Sequence, residues 1–325
     1  MSLYKRLTIT GTLSEPKGTP DPLFALPSTV NWMRALAFLV AYKGISSTSA
    51  RSFYSSVSER HGPEQEQNTV LEQLLFALHQ CSALRVLRTA ACKADVARVG
   101  IVTWYYGIYA AASAMTVAQD GSFKDDHTGT ANVWDRQIAT PHLIMSPFDA
   151  RVGTLLRKDA DKELASLLTV PRFVLTGNRP KTAEDAMGAC HAYLSGNVEW
   201  WRERSEENIR ASRDFKELGV ENFRTAAARE LRDKRLSGRG IGFLHQAFRY
   251  RGKANYREAL YLGYGTSVES ILAPYVDDLS VVLDAFVTAA GLFCARRLGA
   301  AVWDEFVSDI EAHRAFSTSP STLWG

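Results

Sequence analysis

Cationic and aromatic residues are concentrated in one segment of the chain, between Asn222 and Arg257. This segment has ten Lys and Arg residues against Glu230 and Asp233, so it carries a charge of +8 in a chain whose net charge is +3. Cations that pair with phosphates and rings that stack on bases are what a single-stranded nucleic acid site uses. The alternative is a solvated basic helix face. The expected RNA contacts are Arg235, Arg249, Tyr250, Arg251 and Lys253.

The other sequence motifs do not support a nucleotide-binding site or a metal site. The glycine-rich stretches GRGIG and GYGTS do not fit the phosphate-loop pattern, and no HExxH motif occurs. The four cysteines lie far apart without a CxxC pair, which favours reduced thiols over a disulfide or zinc site. We therefore expect no cofactor and no metal.

The elements that would position these residues are mostly helices. Residues 1–27 have four prolines and an alternating stretch, LTITGTL, that predicts a short strand and an extended N-terminal arm. From Ser28 onward, helical periodicity predicts a helical body over residues 28–325. Helices are expected over about 68–87, 96–119 and 182–204, and two more over 268–315 with a break at Pro274. The fold class is predicted to be all-α.

Arginines interrupt the longest apolar runs, Arg34 in the first and Arg296 and Arg297 at the end of the last. We therefore expect no membrane segment. The first twenty residues lack the apolar run of a secretory signal, which predicts a cytoplasmic location.

A family resemblance rests on the segment VARVGIVTWYYGIYAAASAMTVAQDGSFKDDHTGTANVWDRQI. It combines a helix bearing a Tyr-Tyr pair and small residues, a polar loop, and a histidine that opens the next helix. This pattern resembles the HEPN superfamily, with its core over residues 68–140. The resemblance implies a helical bundle that binds RNA and in some members cuts it.

Catalytic members of that family carry an arginine followed, after four to six residues, by a histidine. Arg239 and His245 have this spacing, in RGIGFLH within the basic segment. A histidine near neutral pKa can move the proton of a 2′-hydroxyl, and a fixed cation can stabilise the phosphorane, so RNA can be cut without a metal. His127, where the resemblance is strongest, is the competing site. Its other interpretation is a histidine in the first turn of a helix capped by Asp125 or Asp126.

The resemblance therefore implies an RNA-targeting effector of a toxin-antitoxin or antiviral defence system, and its catalytic members imply a metal-independent endoribonuclease. The alternative is a non-catalytic helical adaptor in a defence or regulatory complex. RNA is the expected partner, together with a protein partner or a second copy of the chain. The extended arm is expected to contribute to that assembly interface.

Overall fold

The computed structural model describes residues 3–13, 22–255, 257–264 and 268–325. Within these residues the fold is all-α, as predicted, with no named strand and one isolated β-bridge. The α-helices are α1 Leu3–Thr10, α2 Pro22–Lys43, α3 Ser47–Phe53, α4 Glu64–Leu87, α5 Lys93–Asp120, α6 His127–Trp134, α7 Arg157–Leu167, α8 Ala183–Ala211, α9 Arg213–Glu217, α10 Ala226–Ser237, α11 Phe243–Asn255, α12 Val268–Leu298, α13 Ala300–His313 and α14 Pro320–Trp324. A π-helical turn, Asp135–Ala139, extends α6, and a 3₁₀ turn, Arg257–Leu262, follows α11.

The core is built around α5 and α12, which pack against each other and against α4. Most of α5 is buried because it is apolar around most of its circumference, as the sequence predicted. Small residues let the helices approach closely: a Cβ placed on Gly107 would lie 2.6 Å from a methyl of Leu283. A second, smaller core lies among α7, α8 and α10.

Two helices are long and apolar enough to cross a membrane: residues 24–43 of α2 and the whole of α12. Within the apolar 18-residue stretch of each helix, however, 56% of α2 and 83% of α12 is buried inside the protein. The carboxylate of Asp278 in α12 pairs with Arg34 of α2 at 2.7 Å, and that of Asp284 pairs with Arg85 of α4 at 2.9 Å. Packing within the bundle accounts for the apolar character of α12, so these helices are weak evidence for a membrane.

The predictions for the N-terminal arm were wrong in two respects. Residues 3–10 form helix α1 rather than a strand, and α2 begins at Pro22 and continues through Pro27. Proline is tolerated in the first turn, where its missing N–H has no helical partner. The one backbone hydrogen bond that the helix lacks at Pro27 is offset by the burial of the Leu26 and Val30 side chains. Residues 14–21 lie outside the described part, and the assembly role of the arm stays a prediction.

One further boundary prediction, the helix break at Pro274, needs correction. Helix α12 runs through Pro274 without a break, because Leu272, Tyr275 and Val276 are all buried around it. Residues 173–175 lie in an irregular stretch that leads into a turn, with Gly177 N–H donating to the Val174 carbonyl. By contrast, α8 begins at the predicted position, where Thr182 and Asp185 make a reciprocal capping box.

Candidate nucleic-acid interface

Helix α11 carries Arg251 on the side that faces α5 and α6, Arg249 and Lys253 on the side that faces α8, and core residues between the two sides. Phe243, Ala247, Tyr250 and Ala254 are fully or almost fully buried, at the three- and four-residue spacing of a single helix face. The Tyr250 hydroxyl donates to the Thr29 carbonyl at 2.9 Å and lies 2.5 Å from the Tyr275 hydroxyl. The prediction that Tyr250 contacts RNA was therefore wrong, because its ring is enclosed by the core.

On the side of α11 that faces α5 and α6, Arg251 contacts His127, the first residue of α6. Asp126 caps α6 by accepting the Gly129 N–H at 2.7 Å, as one of the two sequence interpretations of His127 predicted. The Arg251 Nη1 then lies 3.1 Å from His127 Nε2. Because a guanidinium only donates, Nε2 is the acceptor, and the proton of the neutral ring is on Nδ1.

Aromatic rings surround this pair. The Arg251 guanidinium lies 5.0 Å from the ring centre of Tyr105 and 5.2 Å from that of Phe248. Burial lowers the pKa of His127, the positive charge of Arg251 lowers it further, and Asp126 opposes the shift. Its Nδ1 is buried without a hydrogen-bond partner among the described residues. The pair is therefore a neutral imidazole held against a permanent cation.

A second set of cation–ring contacts lies between α11 and α8. The Arg249 guanidinium stacks 4.9 Å from the centre of Trp200, and Lys253 Nζ lies 5.4 Å from the centre of Tyr193. Trp200 is 37% exposed, and on the α5 side Tyr106 is 39% exposed, so rings reach solvent on both sides of α11. Together these residues form what we call the α11 surface: Tyr106, His127, Trp200, Arg249, Arg251 and Lys253.

Arg239 and His245 have no direct contact with each other. His245 is only 3% exposed; its Nδ1 accepts the Gly242 N–H at 3.2 Å, and its Nε2 lies 3.0 Å from Asn132 Oδ1. Arg239 lies at the surface and donates to Ser205 Oγ at 2.8 Å. Burial lowers the pKa of His245 to about 4. Both ring nitrogens are engaged and the ring is enclosed, so the predicted catalytic pair is not supported by this geometry.

The glycines between these two residues serve close packing. Arg151 donates to both carboxylate oxygens of Asp135, at 3.0 and 2.8 Å, directly beneath the loop. A Cβ on Gly242 would lie 2.4 Å from Asp135 Oδ1, and one on Gly240 would lie 2.7 Å from Oδ2. Sequence reasoning missed Asp135 and Arg151, because no local spacing connects them to this loop.

Arg235 lies on α10, apart from the α11 surface. Its guanidinium pairs with Asp214 at 2.7 Å and lines a surface cavity with Arg239 and Ser205. The predicted RNA contacts thus divide into three cations that share the α11 surface, one paired arginine elsewhere, and one core tyrosine.

No metal cluster is evident: among the described residues, no group of three or more His, Cys, Asp or Glu side chains could hold an ion. All four cysteines are free thiols. The chain matches no family model, no curated protein and no solved structure. The site's geometry is therefore the basis for a functional proposal.

Proposed function

We propose that the protein binds single-stranded RNA along the α11 surface and cuts it without a metal at the Arg251–His127 pair. The observation that carries this proposal is the 3.1 Å contact between the guanidinium and the neutral imidazole. It lies on a surface where cations alternate with partly exposed rings. Such a surface offers phosphate contacts, stacking platforms and a proton acceptor together.

The proposal that this surface binds RNA rests on the arginines that lack a carboxylate partner among the described residues, because these can bind phosphates instead. Arg232 and Arg235 pair with Asp233 and Asp214. Arg249 and Arg251 form no ion pair with a carboxylate in the part of the chain that the structure describes. Their hydrogen bonds go to a carbonyl, the Tyr106 hydroxyl and an imidazole, and both guanidinium groups also lie over rings. A guanidinium that stacks on a ring can still donate its in-plane N–H groups to a phosphate, although the Nε of Arg251 is buried and its Nη1 contacts His127.

The proposal that the protein cuts RNA follows from how a bound phosphate would change the contact between Arg251 and His127. A phosphate is a stronger acceptor for a guanidinium than a neutral imidazole is, so it takes over the Arg251 N–H groups. The Nε2 lone pair of His127 is then released to accept the 2′-hydroxyl proton. The 2′-oxygen bonds to phosphorus as the bond to the 5′-oxygen breaks, and Arg251 stabilises the phosphorane. Water protonates the 5′-oxygen, the resulting hydroxide takes the proton from His127, and a 2′,3′-cyclic phosphate remains.

Incubating the protein with tRNA in EDTA tests both parts. We expect fragments with 2′,3′-cyclic phosphate ends, which His127→Ala abolishes while leaving RNA binding intact. Arg251→Ala should weaken binding and cleavage together. The matched control is Arg213→Ala, since that side chain is 90% exposed and pairs with Glu217 one helical turn away. This control should behave as the parent protein does.

Salt dependence separates phosphate contacts from other effects. Replacing Arg249 and Arg251 by Ala should reduce the slope of log affinity against log salt by roughly one unit for each lost contact. Binding without cleavage by the parent protein would favour the non-catalytic adaptor. An unchanged slope, or no RNA binding at all, would reject the α11 surface as an RNA site.

A further inference from the structure

A cavity separate from the α11 surface opens between α2, the loop after α6, and the start of α8. Its volume is about 380 Å³, within the range of small-molecule sites. Apolar side chains form much of its wall: Leu39, Leu167, Met187 and Leu194. None of the residues of the α11 surface lines it. The cavity therefore lies apart from the surface proposed above to bind RNA.

Two hydrogen-bond acceptors face this apolar wall. Asp149 forms no ion pair with Lys or Arg in the described part of the chain, and its carboxyl is hydrogen-bonded by its own amide and by Ser146. His191 Nε2 lies 2.8 Å from the Leu164 carbonyl, which only accepts, so Nε2 carries a proton. In the neutral ring, Nδ1 is consequently an acceptor. A ligand that satisfies both groups must supply N–H or O–H donors.

The charge of the cavity favours a cationic donor. Arg151 also lines it, but both carboxylate oxygens of Asp135 already hold its guanidinium. Asp149 thus supplies a negative charge that has no direct ion-pair partner among the described residues, and His142 and Lys43 act on it only by lowering its pKa against the larger effect of burial. Burial without a paired cation raises the pKa of Asp149, a cost that a bound cation would remove.

We propose that this cavity binds a small organic ammonium ion, with its N–H groups on Asp149 and His191 and its apolar body against Leu39, Met187 and Leu194. The size of the cavity fits one ring with a short side chain. The apolar wall selects against hydrated inorganic cations, and the carboxylate selects against acids.

Three probes that share one ring and differ in their polar end test this site: 2-phenylethylammonium, 2-phenylethanol and 3-phenylpropionate. Isothermal titration calorimetry should show saturable binding in the order ammonium, alcohol, acid. Asp149→Asn should weaken ammonium binding by about tenfold or more, the lower end of what a charge-assisted hydrogen bond contributes. It should weaken alcohol binding less, because the amide oxygen of asparagine still accepts a hydrogen bond from a hydroxyl. Asp304→Asn, at an exposed position of α13, is the matched control.

A cavity-filling variant locates the site independently of charge. Met187→Trp should abolish binding of all three probes, and the pattern of amide shifts in NMR should centre on the cavity. Equal affinity for ammonium and alcohol, unchanged ammonium binding by Asp149→Asn, or no saturable binding by the parent protein would overturn the proposal. The RNA assays use different residues, so the two proposals can fail separately.

Discussion

The buried imidazole of His245 makes a quantitative prediction about stability in acid. Its pKa is lowered to about 4 in the folded chain, against an ordinary value of 6.5. Below pH 6.5, His245 of the unfolded chain binds a proton, whereas the buried ring of the folded chain stays neutral until the pH approaches about 4. The free energy of unfolding therefore falls as the pH drops from the pKa of the unfolded chain toward the pKa of the folded chain. The loss is complete once the pH is below both pKa values.

The magnitude follows from the size of the shift. Each pKa unit corresponds to about 1.4 kcal/mol, so the full loss attributable to His245 is about 3 kcal/mol. At about pH 5 the expected loss is about 2 kcal/mol, a large fraction of a typical domain's stability. The cause is burial first; the charges of Arg239 and Arg151 add to it, while Asp135 opposes it.

The assay is urea unfolding of the parent protein and His245→Asn at several pH values between about 7 and 4.5. Asparagine retains a side-chain acceptor for the Gly242 N–H but does not titrate. The parent should lose about 2 kcal/mol more than the variant on going to about pH 5. His61→Asn, at a side chain that is 89% exposed, controls for losing a histidine as such. Parallel curves for the parent and His245→Asn would refute the reasoning.

Two other predictions concern packing and the Arg251–His127 pair. Gly291→Ala should lower the free energy of unfolding by about 1–3 kcal/mol in urea titrations, because the new Cβ would lie 2.2 Å from Trp324 Nε1 in a closed core. Gly196→Ala, on a helix with nothing within 4 Å of the added carbon, should stabilise or be neutral, and equal effects at both sites would contradict the packing argument. In an NMR titration, His127 should titrate below 6.5, and Arg251→Gln should raise its pKa because a positive charge is removed; a downward shift would contradict the contact.

Much of the fold could be predicted from the chain itself because helical periodicity and caps are local. The burial of α5 followed from its apolar circumference, and Thr182 and Asp126 marked helix starts through bonds within a single turn. Local reasoning failed at the prolines. The cost of Pro27 or Pro274 within a helix is offset by burial against distant segments, which the local sequence does not reveal.

The sequence by itself determined that cations and rings are concentrated in residues 222–257, and tertiary structure decided which of them reach solvent. Tyr250 and Arg251 are adjacent in the chain, yet one is enclosed by the core and the other lies beside His127, 124 positions away. The reason is geometric: consecutive residues of a helix project about 100° apart, so neighbours in sequence meet different surroundings. A contact between α11 and α6 depends on how the whole bundle packs, and no spacing within either helix encodes it.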